Sequence, residues 1–395
     1  MRIGLALLLA LPGVVAAADP PAVADALKTI RAVKAQGDGN AAAAKAWNVV
    51  VSTGADALIP TLTGFDNCTP VAGNWLRTAA DAIAEAEVAA ERKLDEKALT
   101  AFLNDTKRHP DAREIAFAWL TKQNPTAAAA LLPTFLNDPS LVLRRSAIET
   151  LFAQQTTRGV TLDAAKLGEL FAAARDKDQV ELIAKELEAL KAPADIAKHF
   201  GYVTEWHAVG PFNNKNGAGY AATHPPESAA DLTAKYPSAA GDAKIGWVYT
   251  QSDQKYGTID LNAALGKHKE AVAYAYAEIV ADADTPAELR VSSQNAIKFI
   301  VNGKAVLGRE EYHHGQSMDQ HIATFALKKG KNEILLKVCQ NNQKESWAQA
   351  WGFQARLCDA TGGKLLLKQR LLKDGQETIT ELGARKPSAK KGGDK

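Results

Sequence analysis

The chain has 395 residues, of which 46% are hydrophobic and 23% are charged. This composition is typical of globular proteins, so it excludes a largely disordered chain, and the length suffices for about two or three domains. Basic and acidic residues nearly balance, at 47 and 45. No strong overall field is therefore available to attract nucleic acid, and we expect no nucleic-acid partner.

The two ends of the chain differ from the rest. Residues 1–18 combine the basic start Met1-Arg2, an apolar run from Ile3 to Val15 and the small residues Ala16-Ala17-Ala18. This pattern predicts a secretory signal peptide cleaved after Ala18, and hence a periplasmic or secreted protein. The apolar run is shorter than the ~20 residues of a spanning helix, although an uncleaved anchor is the alternative. We expect no other transmembrane segment. Residues 384–395 are basic, lack apolar content and predict a disordered tail.

Residues 19–200 form the first predicted domain, which is rich in Ala, Leu, Lys and Glu, with apolar residues at the helical period. The motif Phe-Leu-Asn-Asp stands at 102–105 and again at 135–138, and a second predicted helix follows each copy. A helical pair that recurs at this spacing cannot bury its apolar face alone, so it stacks on its neighbours. The repeat predicts an α-solenoid of helical pairs.

One copy of the repeat carries a resemblance to a known family. Within 130–148 stand Leu132-Pro133, the turn Asp138-Pro139 and the sequence Val142-x-Arg144-Arg145-x-Ala147. This segment resembles HEAT-type α-solenoid repeats, and the resemblance extends over about residues 55–190. It implies a concave surface that binds a protein partner. A generic helical bundle is the alternative interpretation.

Strand-forming runs dominate after Lys191-Ala192-Pro193, so residues 201–383 are predicted to form an antiparallel β-sandwich or barrel. Asn302-Gly303 lies between apolar runs and predicts a tight hairpin, because both residue types tolerate positive φ. A second hairpin turn is predicted at Lys329-Gly330-Lys331-Asn332. The Gly-, Pro- and Asn-rich stretch from Gly210 to Pro237 predicts long surface loops.

Several motifs in this half stand in an order that resembles the galactose-binding-like jelly-roll domains of many carbohydrate-binding modules, over about residues 202–372. The motifs are Trp206–Asn214, Ala273–Ala277, Leu289–Ser293, Ile297–Lys304, Leu327–Asn332, Leu335–Val338 and Trp351–Phe353. The resemblance implies a jelly-roll sandwich with a carbohydrate ligand, and it makes the fold class a multidomain α-then-β protein. One departure is the turn 293–296, which lacks the carboxylates that such domains often carry there.

Four residues are candidates for carbohydrate binding: Trp347, Tyr312, Asn295 and Gln294. Aromatic rings stack on the apolar faces of sugars, and side-chain amides pair with hydroxyl groups. Trp347 lies in the polar loop 341–349, where we expect it to be exposed; its alternative role is to shield the loop from solvent. Trp351 and Phe353 alternate with polar residues and are expected in the core.

A histidine-rich segment is a candidate metal site, and two of the three cysteines are candidates for a disulfide. His313, His314, Asp319 and His321 are residue types that bind zinc, copper or nickel. They lack a helical His-x-x-x-His spacing, so an ordinary loop is the favoured interpretation and no cofactor is predicted. Cys339 and Cys358 fall on predicted strands, and a disulfide between them would require an oxidising compartment.

The sequence contains no Gly-x-Ser-x-Gly elbow, phosphate-binding glycine loop or His-Glu-x-x-His motif, so no catalytic residue is predicted. We therefore expect an exported, non-catalytic binding or scaffold protein, with a polysaccharide or glycan and a protein as its partners. Two alternatives are a divergent secreted glycoside hydrolase or lyase, and a purely structural component of the cell envelope.

Overall fold

The structure is a computed structural model that describes residues 20–157, 161 and 163–383. The predicted signal peptide and basic tail lie outside the described residues. Helices come first and antiparallel sheets follow, as predicted. The chain divides into two compact units, one ending at Ala174 and the next beginning at Arg175. Within the described residues, no helix has the length and apolar character needed to cross a membrane.

The first unit is helical. Its α-helices are α1 (Pro20–Arg31), α2 (Asn40–Thr53), α3 (Leu58–Thr63), α4 (Pro70–Ala89), α5 (Glu96–Asn104), α6 (Pro110–Gln123), α7 (Pro125–Leu131), α8 (Leu141–Thr156) and α9 (Ala164–Ala173). Local sequence explains several boundaries. Thr69, Asp95 and Ser140 each accept a backbone N–H of the first turn that would otherwise lack a partner.

The two Phe-Leu-Asn-Asp copies place their phenylalanines alike and their aspartates differently. Phe102 and Phe135 are both buried in the helical core. Asp105 pairs with Arg108 near the surface, whereas Asp138 is buried and pairs with Arg113 at 2.6 Å, with side-chain exposures of 2% and 1%. Both guanidinium Nη atoms contact the carboxylate, so this pair links α6 to the turn before α8.

The second unit begins with helices α10 (Lys177–Ala189) and α11 (Ile196–Phe200) and adds α12 (Ala218–Ala221), α13 (Pro225–Ser228) and α14 (Leu261–Leu265). Its strands are β1 (Glu205–Asn213), β2 (Lys235–Pro237), β3 (Lys244–Gly246), β4 (Val248–Gln251), β5 (Ile259–Asp260), β6 (Ala271–Ala281), β7 (Thr285–Ser292), β8 (Ala296–Val301), β9 (Lys304–Arg309), β10 (His321–Leu327), β11 (Gly330–Gln340), β12 (Gly352–Cys358), β13 (Lys368–Lys373) and β14 (Gln376–Glu381).

Most of these strands belong to two antiparallel sheets. The larger, eight-stranded among the described residues, runs β14-β13-β6-β11-β8-β9, with β1 also beside β6 and β4 beside β1. The smaller runs β10-β7-β12-β5. Alternate residues of β6, β11 and β8 join alternate residues of β7 and β12 in one apolar core. Trp351 and Phe353 belong to that core, as predicted.

The hairpin predicted at Asn302-Gly303 is confirmed. Strands β8 and β9 pair up to Val301 and Lys304. Asn302 and Gly303 have φ of 50° and 75°, and positive φ at both central residues is what the primed hairpin turn requires.

The prediction of a second hairpin at Lys329–Asn332 is wrong. Strand β10 pairs with β7 in the smaller sheet, and β11 pairs with β6 and β8 in the larger one. The turn therefore carries the chain from one sheet to the other. The Asn332 side chain holds this crossover by accepting from the N–H of Lys328 at 2.8 Å and donating to its carbonyl at 2.7 Å.

The stretch from Gly210 to Pro237 does not form long surface loops as predicted. Residues 214–247, here called the cover, pack on the face of the larger sheet that points away from the shared core. Phe212, Tyr274 and Tyr276 on the sheet meet Tyr236 and partly buried Trp247 from the cover. Gly and Pro content indicated irregular backbone correctly, but aromatic residues such as Tyr236, which packs on Phe212, attach the segment to the sheet.

Candidate functional site

A cavity of about 220 Å³ opens in the second unit. It lies where β5 and β12 pair and beside the turn that joins β7 to β8. Its lining residues are mainly amides and small or apolar groups: Gln254, Thr258, Ile259, Asp260, Asn262, Gln294, Asn295, Gln316, Ala350, Trp351, Gly352 and Phe353. Two of the four sequence-predicted binding residues, Gln294 and Asn295, are therefore brought together in one cavity.

Asn295 builds the wall of this cavity. The side chain is 2% exposed, its Nδ2 donates to the Ala350 carbonyl at 3.1 Å and its Oδ1 accepts the Gly352 N–H at 3.1 Å. Both capacities of the amide are thus used to fix the start of β12. Gln340 supports the same segment through the carbonyls of Ala348 and Ala350. We conclude that Asn295 shapes the cavity.

The floor of the cavity is apolar. Trp351 and Phe353 are almost completely buried, and the Trp351 indole N–H donates to the Val338 carbonyl at 3.2 Å. Phe353 meets Trp206 edge-to-face at 5.1 Å. These rings belong to the core, so they close the bottom of the cavity without offering a free aromatic face.

The rim of the cavity carries polar groups with unused hydrogen-bonding capacity. Gln294 is half-buried, and its side-chain amide bonds to no described residue. Asp260 caps α14 with one carboxylate oxygen, which accepts from Asn262 N at 2.9 Å and Ala263 N at 3.2 Å. The Asn262 side-chain nitrogen donates to the Gln349 carbonyl at 3.0 Å, and its side-chain oxygen accepts no hydrogen bond from a described residue. A ligand in this cavity would meet both donors and acceptors.

Trp347 and Tyr312 do not line this cavity. Trp347 is 56% exposed, and its ring lies 5.6 Å from that of His313. The Tyr312 hydroxyl accepts from Asn214 at 3.2 Å, and the ring packs with residues beneath the cover. Burial raises the pKa of Tyr312 to about 12. The structure therefore places the four predicted residues in three separate surroundings.

The histidine-rich segment is held by protein contacts. Asp319 pairs with Arg356 and with Arg290 at 2.9 Å. Burial alone would raise the pKa of Asp319, but the two guanidinium groups outweigh it and hold that pKa below its usual range. His313 contacts Asn341 at 2.7 Å, and His314 contacts Gln320 at 2.9 Å. Among the described residues, no three His, Cys, Asp or Glu side chains are grouped to hold a metal ion.

The three cysteines are free thiols. Cys339 lies on β11 in the larger sheet and Cys358 on β12 in the smaller one. Burial raises the pKa of Cys339 to about 12 and that of Cys358 to about 11. Burial thus keeps both thiols in the protonated form at neutral pH.

Sequence reasoning missed a buried polar group under the cover, here called the Lys337 cluster: Lys337, Glu227, Tyr274 and His224. Lys337 is fully buried on β11, and its Nζ lies 2.9 Å from Glu227 and 2.5 Å from the Ala222 carbonyl. The Tyr274 hydroxyl also donates to Glu227. One signal was available, because a lysine interrupts the apolar run Ile334–Cys339.

The charges in the Lys337 cluster are matched. Burial alone would raise the pKa of Glu227, but hydrogen bonds from Tyr274 and Lys337 hold it below its usual value. Burial lowers the pKa of His224, and Lys337 lowers it further. Since Tyr274 donates to Glu227, the Nδ1–H of His224 is left to donate to the Tyr274 oxygen at 3.1 Å. Glu227 and His224 of the cover thus bind Lys337 and Tyr274 of the larger sheet, and these contacts hold the cover on the sheet.

The helical unit has a cavity of its own, of about 240 Å³. It lies at the N-terminal ends of α4 and α6, and its polar lining includes Asn74, Arg77, His109 and Asp111. Arg77 lies 3.5 Å from Glu114, and the His109 ring accepts the Asp111 N–H at 3.2 Å. The lining of this cavity therefore includes both a basic side chain, Arg77, and an acidic one, Asp111.

No known family model matches the chain, and no curated protein matches it. Fourteen chains of solved structures match this chain, and the similarity of the following three is weak. The β-glucosidase from Kluyveromyces marxianus in complex with glucose is 12% identical over 39% of this chain and 16% of that chain, with a TM-score of 0.25. Its selenomethionine-labelled form is 15% identical over 29% and 14%, with a TM-score of 0.21.

The third structure is the GH31 α-xylosidase from Xanthomonas citri, which is 11% identical over 40% of this chain and 16% of that chain, with a TM-score of 0.19. This chain therefore spans a small part of each enzyme. TM-scores this low do not establish a shared fold, so no function is transferred from these enzymes.

Proposed function

We propose that this protein is a non-catalytic carbohydrate-binding protein whose second unit is a jelly-roll sandwich and whose first unit is a HEAT-like α-solenoid. The observation that carries the proposal is the cavity beside Asn295, with its apolar floor and amide-rich rim. Side-chain amides offer a donor and an acceptor side by side, which is the arrangement that vicinal sugar hydroxyls match.

The size of the cavity supports a small ligand. Its volume of about 220 Å³ lies below the roughly 300–1,000 Å³ of pockets that enclose drug-sized molecules. One sugar ring, at the end or along the side of a chain, is the unit we assign to it. The rest of a longer glycan would lie outside on the surface.

The chemistry of the lining favours binding over hydrolysis. Glycoside hydrolysis generally needs two carboxyl groups flanking the bond that breaks. Asp260 is the one carboxylate among the lining residues, and it also caps a helix. Binding is therefore the activity that we assign to the cavity.

The first unit supplies the proposed protein-binding surface. Helices α1 to α8 share one apolar core, and the buried pair Arg113–Asp138 joins α6 to the turn before α8. A stack of helical pairs held in this way would present a surface along its length for a protein partner. Together with the predicted export signal, this makes the whole chain a scaffold between an extracytoplasmic glycan and a protein.

Binding of the purified full chain to a panel of mono- and oligosaccharides, measured by glycan array and calorimetry, tests the proposal. We expect Gln294→Ala to weaken binding about two- to tenfold, the value of one hydrogen bond. The matched control is Gln376→Ala, because Gln376 is an exposed glutamine on β14, away from the cavity. Equal affinities of the two variants for every sugar, or turnover of a bound sugar, would contradict the proposal.

A further inference from the structure

We infer that the cavity selects sugars that carry no acidic group, namely neutral or amine-bearing rings, against uronic acids and sulfated sugars. This inference rests on the proposed function and adds the chemical class of the ligand. It follows from the one charged side chain that lines the cavity, the carboxylate of Asp260.

None of the twelve lining residues is Lys, Arg or His, and one of them, Asp260, is a carboxylate. No salt bridge joins Asp260 to a cation among the described residues. One of its oxygens accepts two backbone N–H groups of α14. The second oxygen has no described donor, so the carboxylate brings an uncompensated negative charge to the rim.

Two lysines near the lining in sequence, Lys255 and Lys269, do not neutralise this charge. Lys255 follows Gln254, but its Nζ lies 2.5 Å from Glu181 on α10. Lys269 donates to the Ala348 carbonyl at 2.7 Å. Both ammonium groups are thus directed at other acceptors and are not among the groups that line the cavity.

A carboxylate or sulfate on a sugar would lose water on entering and would find no cation in return. It would also approach the like charge of Asp260, which is unfavourable. A hydroxyl group can instead donate to Asp260, and a protonated amine can pair with it. The amide side chains of Gln294, Asn262 and Gln316 bind any of these rings without preference for charge, so selection comes from Asp260.

Three probes with the same ring test the inference: glucose, glucosamine and glucuronate, with galactose, galactosamine and galacturonate as a second set. Calorimetry on the full chain should rank the neutral and amine-bearing sugars above the acid in whichever set binds. Asp260→Asn should narrow the gap between acid and neutral sugar by about two- to fivefold, the range of an exposed charge pair. Asn caps helices as well as Asp does, so α14 should persist.

A variant of opposite sign makes the test sharper. Gln294→Lys introduces a cation at a half-buried side chain that bonds to no described residue, and it should favour glucuronate over glucose. The control is Asp231→Asn, because Asp231 also accepts a backbone N–H two residues on, from Thr233 at 2.9 Å, but lies outside the cavity. Circular dichroism and thermal unfolding should confirm that each variant is folded.

The outcomes separate the two proposals. If no sugar of either set binds to the folded chain, the proposed function is overturned. If neutral sugars bind but the acid binds equally well, or if Asp260→Asn and Asp231→Asn behave alike, charge selection is overturned while sugar binding stands.

Discussion

The Lys337 cluster and the cavity beside Asn295 are both rich in polar side chains, but they use them in different ways. In the cluster, Lys337 and Glu227 form a salt bridge, and the Tyr274 hydroxyl donates a further hydrogen bond to the Glu227 carboxylate. In the cavity, the hydrogen bonds of the Asn295 side chain are made, whereas the side-chain amide of Gln294 bonds to no described residue. In this protein the densest group of titratable side chains therefore stabilises the fold. The candidate binding site is instead the place where polar side chains lack hydrogen-bond partners among the described residues.

The largest expected effect comes from breaking the Lys337 cluster. Lys337→Met should cost about 3–5 kcal/mol of unfolding free energy, because removing one partner of a buried pair leaves the other charge uncompensated. Denaturation by urea measures this cost. Lys368→Met is the control, since its pair with Asp282 is exposed and should be worth about 0–1 kcal/mol.

A double variant separates a missing partner from a general packing defect. Lys337→Met combined with Glu227→Leu removes both charges and should recover part of the lost stability. Failure of the double variant to recover any stability would contradict the view that the two charges depend on each other.

The second prediction concerns the cavity wall. Asn295→Ala leaves the Gly352 N–H without its partner and removes one of the two side-chain donors to the Ala350 carbonyl, and should lower the unfolding free energy by about 1–3 kcal/mol. The same variant should abolish sugar binding, because the start of β12 loses its anchor. If the Asn295→Ala protein were destabilised but bound sugar with normal affinity, the cavity wall formed by Asn295 would not be part of the binding site.

Acidification should weaken the cluster before it affects the cavity. The folded-state pKa of His224 lies below its ordinary 6.5, so the unfolded chain binds protons first and stability falls as pH drops below about 6.5. Glu227 adds to the loss below its ordinary pKa of 4.5. Burial also lowers the pKa of His321, so His224→Gln should remove one share of the loss between pH 6.5 and 4.5, measured by thermal unfolding against pH. An unchanged pH profile in that variant would contradict the assignment.

The sequence predicted features that depend on neighbouring residues, but it did not predict which distant residues come into contact. Asn302-Gly303 predicted its hairpin because a primed turn depends only on the residues within it. The same reasoning failed at Lys329–Asn332, since a turn does not determine which strands pair. Lys337 stood out in an apolar strand, but its partner Glu227 is 110 residues away. The cavity combines residues from 254 to 353, so its rim could be found only in part.

The smallest effect is expected at Trp347, and it sharpens the distinction between the cavity and its surroundings. Trp347→Ala should change stability by less than about 0.5 kcal/mol, because the ring is exposed and packs mainly against His313. Binding of a single sugar should also be unchanged, as Trp347 does not line the cavity. Trp347 is exposed and stands three residues from the lining residue Ala350, so we expect its ring to contact a second sugar of a longer glycan. Calorimetry with a monosaccharide and its oligomer should then show a loss for the oligomer alone. A loss for the monosaccharide as well would place the binding surface around Trp347 instead of in the cavity.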